Sequence, residues 1–441
     1  MSTPSPAVTR QLAAFASDTQ PAELPASAVE FARLSLLDWC AVALAARDEP
    51  VACIVRGMVS NEGGSPTATL VGSDLRLPAR AAALANGTQS HALDYDDTHF
   101  GHIGHPTVAV LPAALALAEQ RDISGEGLLA AYLVGVETAC RLGAALGPDH
   151  YAHGFHQTAT SGSFGATAAA ARLLGLDRGA TAHALGLVAT RASGLKSQFG
   201  TMGKPFHAGM AAANGVEAAT LAAHGFVSRP DGIECAQGFA ATHAGALATL
   251  VEPEHGYLFE AIRYKLHACC HGTHAALEAL LGLRREHALA PETIERIEIA
   301  THPTWLQVCD LPQPATGLEA KFSYRLTAAF ALAGVDTAAL ASFSDANCTR
   351  SELVVLRDRV RVVADPALAE TAARVSLTLA DGREMAANHD LADPQPIGSL
   401  TAKLRAKAAA LVGTERADAL WETITTLETR RTRDLAAQLA I

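Results

Sequence analysis

Four polar segments interrupt an otherwise apolar sequence, and they hold many of the side chains that could transfer protons or bind anions. The first segment spans residues 91–106 and is dense in carboxylates and imidazoles, which suits a site that orients a base. It leads through Pro106 into an apolar helix, whose N-terminus also favours anions. A solvated loop with an aspartate cap explains the same composition. The acids are Asp94, Asp96 and Asp97, and the histidines are His91, His99, His102 and His105.

The first segment also allows a weaker metal hypothesis. His99, His102 and His105 recur at spacings of three residues. Zinc sites normally add cysteine or carboxylate ligands in a compact set, and no such set accompanies these histidines. We therefore predict no metal site.

The second segment, residues 153–165, places His156 just before a helix of small residues. The positive end of a helix lowers the pKa of a nearby imidazole and favours its neutral, basic form. His156 is thus a candidate general base, and a capping histidine is the alternative.

The third segment, residues 193–209, contains the first two lysines of the chain. Only six of the 34 basic residues are lysine, so arginine serves wherever a general cation is sufficient. A retained lysine suits a task that needs a compact ammonium, such as binding a carboxylate or moving a proton. Lys204, flanked by Gly203 and Pro205, is the more specific candidate, although chance placement explains it as well.

The fourth segment, residues 264–275, combines Lys265 with three histidines, of which the last is His274. Lys321 and Tyr324 follow in a further polar stretch at 320–326. Adjacent cysteines at 269 and 270 fit poorly to ordinary disulfide geometry, and we interpret them as small, partly buried residues.

Periodic apolar residues predict helices through most of the first 265 residues, while a mixed pattern follows. Small residues such as Gly162 and Gly165 are expected to let helices approach closely. Alternation and an Asp381-Gly382 turn predict short strands and a hairpin in the mixed region. The predicted helices are 27–46, 107–119, 124–146, 161–174, 178–191, 400–412 and 416–439, and the predicted strand segments are 297–301, 360–362, 375–379 and 383–387.

The pattern therefore predicts a mainly α protein in which a large all-helical domain is interrupted by a smaller α+β domain. The helical domain comprises residues 1–265 and 397–441, and the insertion comprises 266–396. With 441 residues, 49% hydrophobic and 18% charged, the chain can bury a large core.

Charge and missing motifs exclude several classes of protein. A formal net charge of −11 argues against nucleic acid or an anionic membrane as a partner. The sequence contains no Gly-x-Gly-x-x-Gly after a strand, so a dinucleotide fold is not indicated. No secretory signal is recognisable and no uncharged apolar run approaches ~18 residues, so we predict a cytoplasmic protein.

Five motifs, in order, resemble those of the MmgE/PrpD superfamily over nearly the whole chain. This superfamily includes 2-methylcitrate dehydratase, cis-aconitate decarboxylase and iminodisuccinate epimerase. The resemblance implies that the smaller domain is a lid, that the protein is a homodimer, and that it needs no metal or organic cofactor. The motifs lie at 94–98 with 105–106, at 154–156 with 162–165, at 203–209, at 269–274 and at 320–323.

The resemblance also implies roles for individual residues. It places Thr98 with the catalytic candidates in the pocket, and we add Lys265, Lys321 and Tyr324 as candidate substrate-binding residues. Leu326 stands where decarboxylase- and dehydratase-like members have a pocket tyrosine, which favours the epimerase branch. The catalytic candidates are Asp94, His105, His156, Lys204 and His274.

The common chemistry of these enzymes is proton removal from a carbon next to a carboxylate, which requires cations around that carboxylate. The leading hypothesis is a cofactor-independent epimerase of an iminodisuccinate-like amino-polycarboxylate. A hydro-lyase of the 2-methylcitrate dehydratase type and a cis-aconitate-type decarboxylase are the enzymatic alternatives. A non-catalytic carboxylate-binding protein is the alternative from another class. All four predict a small di- or tricarboxylate as the ligand.

Overall fold

The computed structural model describes residues 7–243, 247–251 and 253–441. The helices of these residues are α1 (Val8–Asp18), α2 (Ala26–Ala45), α3 (Pro50–Glu62), α4 (Ala79–Ser90), α5 (Pro106–Gln120), α6 (Gly125–Ala152), α7 (Thr160–Leu173), α8 (Arg178–Val188), α9 (Gly203–Ala223), α10 (Phe239–Thr242), α11 (His274–His287), α12 (Pro303–Cys309), α13 (Gly317–Ala320), α14 (Tyr324–Ala333), α15 (Asp345–Thr349), α16 (Ser351–Asp358), α17 (Ile397–Val412), α18 (Thr414–Thr425) and α19 (Thr432–Leu439). The strands are β1 (Ala68–Thr69), β2 (Arg76–Leu77), β3 (Ile294–Thr301), β4 (Val360–Ala364), β5 (Ala372–Leu379) and β6 (Glu384–Asp390).

The chain forms two compact units. The first comprises Met1–Tyr264 and Val412–Ile441, and the second comprises Lys265–Leu411. The sequence predicts that the chain re-enters the helical unit at residue 397. In the structure, α17 belongs almost entirely to the second unit, and the chain re-enters the first unit at Val412. The mainly helical fold with a small sheet is confirmed. A lid function for the second unit and a homodimer remain predictions.

The five helices predicted within the first 265 residues each begin within one residue of an observed helix. The helix predicted over 27–46 is α2, and the helix predicted over 107–119 is α5. The single helix predicted over 416–439 is wrong, because a short 3₁₀ turn at Leu427–Thr429 separates α18 from α19. An apolar period continues through such a turn, so it cannot reveal the break.

Helix α7 lies at the centre of the first unit, where it packs against α5, α6, α8 and α9. Its sequence is built from small residues, and nearly all of them are buried. A Cβ atom on Gly165 would lie 2.6 Å from the carbonyl oxygen of Gly135 in α6. A Cβ atom on Gly162 would lie 2.7 Å from the Cβ of Ala109 in α5. The prediction that these small residues permit close helix approach is confirmed.

The C-terminal helices complete the first unit. Helix α18 packs against α2 through a face that includes Leu420 and Ile424, which are fully buried. The carbonyl oxygen of Leu439, at the end of α19, accepts a 2.7 Å hydrogen bond from the amide of Gly72. The two ends of the chain therefore share one core.

The second unit contains a four-stranded sheet in the order β4-β3-β5-β6. Strands β3 and β4 are parallel, while β5 is antiparallel to both β3 and β6. The β5–β6 hairpin turns at Asp381-Gly382, where Gly382 has φ +84°, a conformation that glycine adopts at little cost. Alternate residues of β5 are buried, and α11 packs on β5 and β6. The predicted strands and hairpin are confirmed.

Among the described residues, one helix, α6, is long and apolar enough by length and composition to cross a membrane. However, 94% of its most apolar window is buried within the protein, which is typical of a core helix. Ser124 caps its first turn by accepting a hydrogen bond from the amide of Gly127.

Replacing Gly165 with alanine is expected to lower the free energy of unfolding by about 1–3 kcal/mol, because the new methyl group would meet the backbone of α6. Chemical denaturation measures this change. Gly57→Ala is the matched control, since Gly57 lies in α3 of the same unit with nothing within 4 Å of its added Cβ. That control should gain up to about 1 kcal/mol from helix propensity. Equal effects of the two variants would contradict the packing argument.

Candidate active site

Helices α4 and α9 approach each other to backbone contact, close to two of the polar segments. A Cβ on Gly209 of α9 would lie 2.3 Å from the carbonyl oxygen of Leu84 in α4. One on Gly87 would lie 2.8 Å from the Cα of Gly209. The end of α4, which leads into His91, therefore lies close to the first turns of α9, which carry Lys204.

Asp94 and Lys204 form the most accessible part of the site. The Nζ atom of Lys204 donates a 2.8 Å hydrogen bond to Oδ1 of Asp94, and Nε2 of His105 lies 3.6 Å from the same oxygen. The side chain of Asp94 is 46% exposed and that of Lys204 is 17% exposed. Asp94 has φ +51°, in the left-handed region that aspartate tolerates better than most residues. An ammonium, a carboxylate and an imidazole thus meet where a ligand can reach them.

Behind Asp94, the carboxylate of Asp96 lies between two imidazoles. Nδ1 of His91 lies 3.0 Å from both of its oxygens, and Nδ1 of His105 lies 3.0 Å from Oδ2. Asp96 is 2% exposed. Burial alone would raise the pKa of Asp96, but the charges and hydrogen bonds of His91 and His105 hold it well below its usual value. Asp96 is therefore an ionised, buried carboxylate.

The neighbouring Asp97 has the opposite character. It accepts a hydrogen bond from the hydroxyl of Thr107 in the first turn of α5, and Thr107 also contacts the hydroxyl of Tyr132. Burial, together with the nearby Asp38 and Asp96 carboxylates, raises the pKa of Asp97 well above its usual value. Asp97 Oδ1 has no hydrogen-bond partner among the described residues. This shift favours the neutral form of Asp97, which contacts the first turn of α5.

His156 forms a further wall of the site. Burial, and then the charges of His91 and Lys204, lower its pKa well below the usual value. The neutral form predicted from the sequence agrees with this shift, although burial rather than a helix end is its first cause. Nδ1 of His156 lies 3.1 Å from Nδ1 of His207, and the ring of Phe199 makes an edge contact at 4.9 Å. Burial also lowers the pKa of His207 to about 4.

The remaining polar residues of the first segment support the loop. Thr98 pairs with Arg263 through two backbone hydrogen bonds of 2.7 Å, and its hydroxyl donates to the Arg263 carbonyl at 3.3 Å. Nδ1 of His99 accepts a hydrogen bond from the amide of His102, and His99 Nε2 donates to the carbonyl of Leu258. Burial lowers the pKa of His102 to about 3. Both ring nitrogens of His99 therefore contact backbone groups of the protein.

The second unit gathers a separate set of predicted residues. His274 is 2% exposed, and its Nε2 donates to the carbonyl oxygen of Cys269 at 3.3 Å. The ring centroids of His267 and His271 lie 4.9 and 4.8 Å from that of His274. Burial, followed by the charges of His271, His267 and Lys265, lowers the pKa of His274 well below its usual value. His274 is therefore a neutral imidazole beside a buried lysine.

Lys321 and Tyr324 lie next to this turn. The carbonyl oxygen of Lys321 accepts a 2.9 Å hydrogen bond from the amide of Cys270. The hydroxyl of Tyr324 donates to the carbonyl of Gly272 at 2.7 Å and contacts the hydroxyl of Thr301 at 3.0 Å. Tyr324 is 1% exposed, so its hydroxyl is used within the second unit.

The predicted residues thus form two groups, each within one unit. The first unit brings together Asp94, His105, His156 and Lys204, with Thr98 on the same loop. The second unit holds Lys265, His274, Lys321 and Tyr324. Four side chains of the first group are not among the predicted site residues. Their only indication in the sequence is their position within the same polar segments. These are His91, Asp96, Phe199 and His207.

Four of these residues have a donor set that could hold a metal ion. Donor atoms of His91, Asp94, Asp96 and His105 all lie within 4.8 Å of one another. Two imidazoles and two carboxylates suit a transition metal. In the arrangement described, however, Asp94 binds the Lys204 ammonium and Asp96 binds imidazole nitrogens. A bound cation would therefore have to displace these contacts.

Asp97→Asn is expected to change how stability depends on pH. The folded protein holds the Asp97 proton more tightly than the unfolded chain, whose aspartate pKa is about 3.9. The wild type therefore loses stability relative to the variant as the pH rises above about 4. The melting temperature of the variant minus that of the wild type should increase with pH. Asp231→Asn, at an exposed carboxylate with a lowered pKa, should show no such trend. A constant difference for Asp97→Asn would contradict its neutral form.

Comparison with known proteins gives a consistent assignment for the chain. Residues 10–248 match the MmgE/PrpD N-terminal domain, and residues 267–429 match the MmgE/PrpD C-terminal domain. Human cis-aconitate decarboxylase is 29% identical over 379 residues, which cover 80% of this chain and 78% of that protein. A cis-aconitate decarboxylase-like protein from Aspergillus oryzae is 32% identical over 305 residues, covering 65% of this chain and 63% of that protein. Cis-aconitate decarboxylase from Aspergillus terreus is 31% identical over 317 residues, covering 66% and 63%. The chain belongs to the MmgE/PrpD family.

Proposed function

We propose that this protein is a carboxy-lyase that removes CO₂ from a small tricarboxylate, with cis-aconitate as the first candidate. The proposal is supported by the relatives named above, two cis-aconitate decarboxylases and one cis-aconitate decarboxylase-like protein at about 30% identity. The observation that carries it in the structure is the contact of Lys204, Asp94 and His105 beside the neutral, buried imidazole of His156. This arrangement offers a cation for carboxylates and several imidazoles for proton transfer.

Decarboxylation of such a substrate needs one bond to break and one proton to be added. The bond between a carboxylate carbon and its methylene carbon breaks, and CO₂ leaves without the bonding electrons. Those electrons form a new alkene with the central carbon, while the original alkene electrons move to the carbon next to a remaining carboxylate. That carbon then takes a proton, so that one tricarboxylate and one proton give one dicarboxylate and CO₂.

The side chains of the first unit suit this sequence of steps. The Lys204 ammonium stabilises negative charge as it develops on the remaining carboxylate, which is where a fixed cation has most effect on the rate. Asp94 holds the ammonium by a 2.8 Å hydrogen bond and so orients it. The proton comes from an imidazole of the group, for which His105 is placed beside Asp94 and Lys204.

Epimerisation, the leading hypothesis from the sequence, has less support than decarboxylation. It depended on Leu326 and Tyr324. Leu326 is completely buried, and the hydroxyl of Tyr324 is used by Gly272 and Thr301. Both side chains are therefore buried within the second unit. Neither presents a group at the surface of that unit that would indicate an epimerase. The curated relatives named above favour the decarboxylase alternative.

Incubation with cis-aconitate in heavy water, followed by proton and carbon NMR, tests the proposal. The expected product is the unsaturated dicarboxylate with one deuterium on the carbon next to a carboxylate, together with CO₂. The same panel should include single stereoisomers of an amino-dicarboxylate and 2-methylcitrate. Loss of stereochemical purity with solvent deuterium would establish an epimerase instead, and an alkene formed with loss of water would establish a hydro-lyase. Thermal stabilisation by the ligands without any turnover would indicate a binding protein.

Lys204→Ala is expected to reduce turnover of the correct substrate by about 10²-fold or more, because a fixed cation is lost from the developing charge. Its melting temperature should change little, since the Lys204–Asp94 pair is partly exposed. Arg178→Gln is the matched control, because it removes the cation of an exposed pair with Asp18 in the same unit. Activity of Lys204→Ala within a few-fold of that control would show that the lysine is structural.

A further inference from the structure

We propose that Asp96 is the positioning residue of this site: it holds His105 by Nδ1 so that Nε2 is presented to Asp94 and Lys204, and His91 anchors the carboxylate. Asp96 Oδ2 lies 3.0 Å from Nδ1 of His105, whereas Nε2 of the same ring lies 3.6 Å from Asp94 Oδ1. The two nitrogens of one imidazole thus contact two different carboxylates, one buried and one accessible. Asp96 itself does not need to reach the ligand.

The burial of the two carboxylates separates their roles. Asp96 is 2% exposed, while the side chain of Asp94 is 46% exposed. A buried carboxylate is fixed by its packing and can determine the orientation of a ring, as supporting hydrogen bonds do for metal-binding and catalytic histidines. Asp94 instead shares its Oδ1 atom with the Lys204 ammonium. Asp96 therefore determines the orientation of the His105 ring.

The charge of Asp96 also selects the tautomer of the ring. An ionised carboxylate can only accept hydrogen bonds, so the 3.0 Å separation of each Nδ1 from Asp96 favours a proton on that nitrogen. In neutral His105, the lone pair then lies on Nε2, which faces Asp94 and Lys204. In the protonated ring, Nε2 carries the proton that can be delivered. Either state places the exchangeable position of His105 on the accessible side.

His91 supplies the second contact that a buried charge requires. Its Nδ1 is 3.0 Å from both oxygens of Asp96, and its ring centroid lies 4.6 Å from that of His105. Removing one partner of a buried charge is costly, because the charge is left without compensation. His91 therefore acts by keeping Asp96 in place between the two rings.

Asp96→Asn tests the inference, which rests on the proposed function only in treating His105 as a proton-transfer group. The amide of asparagine can donate to Nδ1, which moves the ring proton to Nε2 and presents the wrong tautomer. We expect kcat to fall by about 10²–10⁴-fold, the range of a general acid–base contribution, while KM changes far less. Asp96→Glu should recover part of the loss, because a carboxylate is restored. A larger effect on KM than on kcat, or no recovery with glutamate, would overturn the proposal.

Asp97→Asn is the matched control. It makes the same substitution at the adjacent buried position, where the carboxyl group is neutral and contacts Thr107 rather than an imidazole. It should keep activity near that of the wild type. Equal losses in the two variants would show a general disturbance of the loop and would contradict a special role for Asp96.

A second readout does not depend on the substrate. In protein labelled with ¹⁵N-histidine, long-range proton–nitrogen NMR distinguishes an imidazole protonated at Nδ1 from one protonated at Nε2. The wild type should show Nδ1 protonation at His91 and His105, assigned from His91→Asn and His105→Gln, and Asp96→Asn should abolish it at His105. An unchanged His105 signal would overturn the inference even if the protein decarboxylates cis-aconitate. The expected change without turnover of any tested substrate would leave the positioning role standing and refute the proposed function.

Discussion

The site in the first unit depends on the backbone contact between α4 and α9. At Gly87 and Gly209 there is no room for a Cβ atom, because the nearest atoms of the other helix would lie within 2.8 Å. This approach brings the end of α4 close to the start of α9. The histidine that follows α4 and the lysine in the first turn of α9 then belong to one site. A larger residue at either glycine would meet the other helix and force the two helices apart.

Within that frame, adjacent residues acquire opposite electrostatic properties. Asp96 and Asp97 are both buried, yet imidazoles surround the first and a hydroxyl contacts the second. The charges and hydrogen bonds of two imidazoles lower the pKa of Asp96, whereas at Asp97 the hydrogen bonds of Thr107 do not offset burial and the nearby carboxylates, so the pKa is raised. One short loop therefore provides a fixed negative charge for the site and a neutral support for the next helix. The two roles are compatible because Asp96 contacts imidazoles and Asp97 contacts the Thr107 hydroxyl.

The sequence predicted the helices, the sheet and the polar segments, but not which acids of a segment act together. The run of apolar residues located α2 and α5, in which nearly every residue from Leu34 to Leu44 and from Pro106 to Ala118 is buried. The spacing of Asp94, Asp96 and Asp97 could not show that the first contacts a lysine, the second imidazoles and the third a threonine hydroxyl. Likewise, the polarity of Tyr324 gave no indication that its hydroxyl would bind the carbonyl of Gly272. Directions of side chains depend on local backbone angles and on tertiary contacts, which residue spacing does not encode.

The return of the C-terminal helices to the first unit has a consequence for dissecting the protein. The C-terminal family segment ends at residue 429 and so includes α18, whose apolar face packs on α2. Expressed alone, that segment would leave Leu420 and Ile424 in contact with water, while the N-terminal segment would expose the opposite surface of α2. The regions that define the family in sequence are therefore not independent folding modules. A fragment intended to fold alone should instead contain the second unit, residues 265–411. The two flanking pieces of the first unit would then be expressed together or joined by a linker.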